Sequence, residues 1–231
     1  EEGGKRGVTA AGNPVTWTPT LKEKGITVAH VVSSAKFANK AASAGVDAVV
    51  AEGFEAGGHN GREETTTLCL IPAVAQEIDL PLLAAGGIAT GASMMAAMVL
   101  GADGVQIGTR FAASREGSGH DNFKSKIVEI AEGDTKLTLK KTVPVRMIKN
   151  KFFNEVHEAE KRGANAEELT KILGRARAKK GMFEGDMDEG ELEIGQISAL
   201  INEIKPAAEI INDLITEFNI AQKSVAKFNL G

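Results

Sequence analysis

The chain has one cysteine, one tryptophan, no tyrosine and an aromatic content of 4% in 231 residues. A lone Cys69 excludes an internal disulfide and suits a reducing compartment. It lies in the apolar run Leu68-Cys69-Leu70-Ile71, which predicts a buried, inert thiol rather than a nucleophile. No run of about 18 apolar residues is present, and the acidic, Gly-rich start has no secretory-signal pattern. These readings place the protein in the cytoplasm, away from membranes. A basic surplus is lacking too: 27 Lys and Arg against 31 Asp and Glu give a net charge of −4, which argues against nucleic acid as partner. No His and carboxylate spacing suited to a metal occurs, so no metal site is expected. Small molecules and other proteins remain as partners.

What is there begins with Ala84-Ala85-Gly86-Gly87-Ile88-Ala89-Thr90-Gly91 and, one helix later, Gly104-Val105-Gln106-Ile107-Gly108-Thr109-Arg110-Phe111. Each reads as a short apolar strand ending in a small-residue turn, and Ala92 to Leu100 between them has helical period. Glycines end many strands for turn geometry alone. Two such turns at neighbouring strand ends point further, because backbone N–H groups approach an anion closely only where no Cβ intervenes. In a (β/α)₈ barrel the loops after the last two strands form a phosphate site. Gly86, Gly87 and Gly108 are therefore read as the phosphate grip of a bound cofactor.

Hydrophobic content of 42% and charged content of 25% are those of an ordinary globular protein. Strands are predicted near 7–11, 26–32, 48–52, 81–85 and 104–108, with helices over 16–24 and 34–44 among them. Gly45-Val46-Asp47 and Gly101-Ala102-Asp103 open two of these strands alike, the sign of a repeated β/α unit. The fold class expected is α/β, a TIM (β/α)₈-type barrel lacking its first three strands in this chain. Residues 1–113 would be the barrel portion with the cofactor site. Residues 114–199 read as a small, largely helical cap, with a helix at 122–131, strand-like Leu137 to Leu139 and a charged helical run from Phe152 to Lys180. Residues 200–231 would hold a helix near 205–218 that packs back through Ala208, Ile211, Leu214, Ile215 and Phe218.

Glu52-Gly53-Phe54-Glu55-Ala56-Gly57-Gly58-His59-Asn60-Gly61 follows a buried strand directly, on the face where such folds build active sites. His59, flanked by glycines, is the candidate general base or acid, because imidazole titrates near neutrality. Glu52 and Glu55 are expected to bond loop N–H groups and fix the turn. His30 inside a strand and His157 on a charged helix read as structural, and His120 is a weaker candidate in a cap loop.

The three motifs at 52–61, 84–89 and 104–111, in this order and spacing, resemble the nitronate monooxygenase (2-nitropropane dioxygenase) family, which includes the flavin-dependent enoyl-ACP reductases II. The likeness runs from about Gly12 to Gly195. It implies a barrel that holds FMN at its strand C-termini. Gly86, Gly87, Gly108 and Thr109 would hold the phosphate, Gly57 and Gly58 would approach the flavin, and Gln106 would lie under it. Glu52 and Ala85 complete the implied cofactor-binding set, and His59 would face the reactive edge. The family's first three strands, which bring a Pro-Met turn and an Asn to the flavin, have no counterpart in this sequence.

The cap segments 114–124, 145–150 and 193–197 are similar to the reductase branch, and Val31 stands where several monooxygenase members carry a lysine near the flavin. The resemblance thus favours an NADH- or NADPH-dependent enoyl-ACP reductase acting on an acyl-carrier-linked or small-molecule substrate. The alternatives are a nitronate monooxygenase using O₂, and an inactive fragment that binds only a phosphate ligand. A homodimer is a weaker expectation.

Overall fold

The structure, a computed structural model, describes residues 4–228. Residues 1–3 and 229–231, the outer ends of the first and third expected segments, lie outside the described residues. In chain order the strands are β1 (Arg6–Thr9), β2 (Thr27–Val32), β3 (Ala48–Glu52), β4 (Gly58–His59), β5 (Leu82–Ala85), β6 (Gly104–Gln106), β7 (Thr135–Thr138) and β8 (Val145–Ile148). The helices are α1 (Thr18–Glu23), α2 (Ala35–Ser43), α3 (Thr67–Ala75), α4 (Gly91–Val99), α5 (Thr109–Ala112), α6 (Asp121–Glu129), α7 (Lys151–Lys161), α8 (Ala166–Leu173) and α9 (Ala207–Val225).

Five strands pair in parallel in the order β1-β2-β3-β5-β6, with α2, α3 and α4 as crossovers between the last four. Buried Val28, Val49, Leu70, Ile71, Val74 and Leu82 make one core between strands and helices. Val49 and Ala51 of β3 join this core under the helices, and Val50, on the opposite face, is buried as well. The repeated Asp has a repeated task. The Asp47 carboxylate accepts from Val28 N at 2.8 Å and Asp103 from Leu82 N at 2.8 Å, each tying the start of the preceding parallel strand to the strand that follows.

Three departures from the sequence reading have local causes. The first helix starts only after a 3₁₀ turn at Pro14–Thr16. The run from Phe152 to Lys180 is broken at Gly163 and Gly174, whose φ values of 87° and 64° end α7 and α8. The cap also holds an antiparallel sheet, order β4-β8-β7, so its buried β8 and the His59 strand are one structure.

Two side-chain expectations are overturned. Cys69 is exposed, because α3 buries Leu70, Ile71 and Val74 and turns Leu68 and Cys69 outward. On α9 the buried residues are Ile210 and Leu214, while Ile211 and Ile215 are about half exposed. The helix seats on α4 at Gly91, where a Cβ would lie 2.1 Å from Phe218 N, and Glu217 accepts from Gly91 N at 2.7 Å. The outer face between α3, α4 and α9 carries an apolar groove of about 770 Å³, which shares no lining residue with the cavity at the glycine turns. Among the described residues no helix is long and apolar enough to cross a membrane.

Candidate functional site

Register brings the site together. Glu52 pairs with Ala85 and Ala85 with Gln106, so three expected residues end neighbouring strands at one level. Beyond β5 the chain turns through Gly86 and Gly87 with φ of 88° and 70°, a region that strains any residue with a Cβ. A Cβ at Gly86 would also meet Gly53 O at 2.7 Å. Thr67 binds both turns: its N–H donates to the Glu55 carboxylate at 3.0 Å, and its hydroxyl lies 2.9 Å from Gly86 O. Glu55 thereby fixes the turn, as its position in the sequence suggests.

These turns surround a cavity of about 250 Å³ lined by Glu52, Gly57, Ala85, Gly86, Gly87, Gln106, Gly108 and Thr109 of the expected set. The backbone N–H groups of Gly87, Ile88, Gly108 and Thr109 have no acceptor among the described residues. A Cβ at Gly108 would meet nothing within 4 Å, so the space beside it is open. Free N–H donors on Cβ-free backbone fit a phosphate group.

The cap supplies the rest of the wall through Met182, Glu193, Ile194 and Ile197. It is held closely: Gln196 N donates to Glu55 O at 2.9 Å and Gly195 N to Thr109 Oγ1 at 3.1 Å, while a Cβ at Gly57 would lie 2.4 Å from the Ile194 carbonyl carbon. Sequence reasoning missed these four lining residues. The one available signal was a glutamate, Glu193, set between apolar Leu192 and Ile194.

Gly58 and His59 lie outside this cavity and line an adjoining one of about 500 Å³, which shares Glu52, Gly57, Gln106 and Glu193 with it. His59 is exposed there, carried on β4 opposite Val145. The loop before it is anchored by Arg146, whose Nη2 donates to Phe54 O at 3.0 Å. The other histidines have structural partners. His30 Nδ1 pairs with Thr9 Oγ1 at 2.7 Å, His120 caps α6 by accepting from Asn122 N at 3.1 Å, and His157 stacks on Phe153.

Glu52 departs from expectation. Among the described residues nothing donates to its carboxylate, and burial pushes it up to about 7. Burial also raises Glu193, against the pull of His59, and brings Glu191 to about 7 with the Glu193 charge adding to the shift. A cavity walled by neutralisable carboxyls on one side and bare N–H donors on the other can hold an anionic group at one end and exchange protons at the other.

A parallel arc of β/α units whose strand C-termini close Cβ-free turns around a cavity is the arrangement of the TIM-barrel class of phosphate-binding proteins. A family model described as nitronate monooxygenase matches residues 7–217. A protein named probable nitronate monooxygenase from Staphylococcus saprophyticus is 34% identical over 211 residues, covering 83% of this chain and 59% of the relative. Among solved structures, FabK from Thermotoga maritima is 39% identical with a TM-score of 0.89, over 96% of this chain and 70% of that one. The nitroalkane oxidase from Streptomyces ansochromogenes is 29% identical with a TM-score of 0.76, over 95% of this chain and 64% of that one. The chain belongs to the nitronate monooxygenase family, whose members are FMN-dependent oxidoreductases. It spans about 59% of the length of the curated relative from Staphylococcus saprophyticus.

Proposed function

We propose that the chain carries the FMN site of an NADH- or NADPH-dependent enoyl-thioester reductase of the enoyl-ACP type. The observation that carries the flavin reading is the set of four free N–H donors on the turns at 86–88 and 108–109, where backbone alone can wrap a phosphate. Bound there, FMN would supply two-electron redox chemistry.

The chain's own residues have separable tasks in this reading. Gly86, Gly87, Gly108 and Thr109 hold the phosphate, and the Thr109 hydroxyl, already accepting from Gly195 N, keeps its proton free to donate. Ala85 and Gln106 form the floor at the strand ends, whereas the Cβ-free faces of Gly57 and Gly58, which the resemblance assigns to the ring system, are taken up by the Ile194 backbone and the Glu193 carboxyl of the cap. Glu52 stands at the cavity edge as a carboxyl that burial pushes up to about 7, so that it gains and loses its proton near neutrality. Met182, Ile194 and Ile197 exclude water from one wall. His59, one cavity further out, moves the proton at the substrate's α-carbon.

The higher identity and TM-score with FabK support the reductase branch, as does apolar Val31 in the His59 cavity. The names of the curated relatives favour a second reading, oxidation of alkyl nitronates with O₂, in which His59 takes the proton next to the nitro group.

The test is a visible spectrum of the purified protein, followed by NADH or NADPH under argon. Flavin bands that bleach with the reductant, and recover with a crotonyl thioester, support the reductase. Bands that bleach only with a nitronate favour the second reading. A protein that stays colourless after incubation with FMN would leave a phosphate-binding chain without the reaction.

A further inference from the structure

His30 has one ring nitrogen that the fold does not use. β2 turns Val28, His30 and Val32 toward the helix layer, and His30 is 5% exposed. Its Nδ1 pairs with Thr9 Oγ1 at 2.7 Å, across the register that sets Thr9 beside His30. Among the described residues Nε2 has no hydrogen-bond partner, and no side-chain nitrogen or oxygen is both fully buried and unpaired. Nε2 therefore opens into space, and the space that His30 lines is a cavity of about 210 Å³.

This cavity lies between the end of β2, the loop at 11–14 and α2, with Gly12, Pro14, Ser33, Phe37 and Lys40 in its wall. Its ionisable groups are of one sign. Lys40 makes no ion pair among the described residues, and its charge adds to burial in holding the His30 imidazole below its ordinary value. No carboxylate lines the cavity. Asp47, which ties β3 to the start of β2, is taken by Lys22 and Val28 N, and Glu77 accepts from Asn39 of α2. Ala11 and Gly12 turn the chain at the cavity wall with left-handed φ of 55° and 84°, and their N–H groups have no acceptor among the described residues.

A protonatable ring nitrogen, an ammonium and two bare N–H groups are donors without an acceptor, and a half-enclosed donor set of this kind calls for an anion. A carboxylate presents two oxygens, whereas a phosphate presents three or more and carries charge enough for both cations. Thr9 suits the same end. Its hydroxyl donates to Ala29 O at 3.3 Å and can accept from Nδ1–H, which leaves the ring free to take a second proton at Nε2.

We propose that this cavity binds a phosphate group, free or carried as an ester, with His30 Nε2 and Lys40 Nζ as its charged donors. The cavity shares no lining residue with the one at the glycine turns, so the proposal stands apart from the flavin reading. It shares Ala11, Val31, Val32 and Ser33 with the 500 Å³ cavity that holds His59. An ester-borne phosphate seated here leaves the rest of its molecule pointing toward His59, as the 2′-phosphate of NADPH would.

The test follows the His30 ring resonances by NMR in phosphate-free buffer, assigned with His30→Gln, while inorganic phosphate, sulfate, NADP⁺ or NAD⁺ is added. FMN is present throughout, so that a phosphate at the glycine turns is not mistaken for one here. Phosphate and sulfate are expected to shift the resonances saturably and to move the His30 titration midpoint up by about one pH unit, as an opposite charge does. Lys40→Met, at an exposed and unpaired position, should keep the melting temperature and weaken phosphate binding about 10-fold. Without anion it should raise the His30 midpoint, because a like charge has gone. Shifts with NADP⁺ but not NAD⁺ support an ester-borne phosphate, and shifts with the inorganic ions alone support a free one. Resonances that stay put at tens of millimolar phosphate, or that move equally in wild type and Lys40→Met, overturn the proposal.

Discussion

The guanidinium of Arg146 grips the carbonyl oxygen of Phe54 through two donors, Nη2 at 3.0 Å and Nε at 3.2 Å, and lies 4.4 Å over the Phe54 ring. Arg146 is 2% exposed, and burial lowers its pKa against the opposing pull of Glu55 and Glu64. A strand of the cap thus fixes the loop that runs from Glu52 to His59. Lysine lacks both the fork and the planar stack. Arg146→Lys is expected to cost about 1–3 kcal/mol in stability and to weaken FMN binding at least 10-fold, read by urea melts and by quenching of flavin fluorescence. Unchanged flavin affinity in a destabilised variant would refute the positioning role.

The glycines separate folding from binding. At Gly108 a Cβ meets nothing and φ is −94°, so Gly108→Ala and Gly108→Asp are expected to leave the melting temperature within a few degrees of wild type. Alanine would crowd a phosphate and aspartate would repel it, so FMN affinity should fall in that order. Gly57→Ala is the opposite case, because its Cβ would strike the Ile194 backbone at 2.4 Å and push the cap segment away. It should destabilise by about 1–3 kcal/mol before any ligand is added. Isothermal titration with FMN, beside thermal melts of the three variants, checks the contrast.

Helix α9 is held on α4 by backbone contact. Gly91→Ala places a Cβ 2.1 Å from Phe218 N, which no side-chain rotation relieves, so α9 must shift. The expected cost is about 1–3 kcal/mol, with faster hydrogen exchange confined to α4 and α9. Glu217→Ala removes the 2.7 Å acceptor at the start of α4 and should cost about 1 kcal/mol, as loss of a helix cap does.

How much of this was legible in the sequence follows from which interactions are local. The parallel strands, the two glycine turns and the Asp47 and Asp103 repeat rest on contacts within one β/α unit or its neighbour, and periodicity and turn chemistry report such contacts directly. The cap wall was not legible. Glu193 and Ile194 reach the cavity through pairing with β8 and through the long-range bonds of Gly195 and Gln196 to Thr109 and Glu55, and β8 pairs with the His59 strand over only two residues. Two residues carry no periodic signal. Cys69 and Ile211 were misjudged for a related reason: an apolar run names a buried element but not which side of it faces the core, and helix phase against distant partners decides that.

Glu52 and Glu191 make stability depend on pH in a direction opposite to that of most carboxylates. Both titrate at about 7 when folded, above the ordinary value of 4.5, because burial penalises the charged form. The folded chain therefore keeps protons that the unfolded chain has released between pH 4.5 and 7, and stability falls as pH rises through that window. It is complete below 4.5 and lost above 7. For Glu191, which is 6% exposed, the loss should be about 1–3 kcal/mol. Glutamine is neutral at every pH, so urea midpoints of Glu191→Gln should differ less between pH 5.5 and 8.5 than those of wild type, and Glu52→Gln should remove a further part of the slope. Buried His30, held below its ordinary value, works in the opposite direction in the lower part of that window, so the comparison with the variants decides. Glu191→Gln and Glu52→Gln midpoints that change with pH as wild type does would mean that these carboxyls are ionised in the fold.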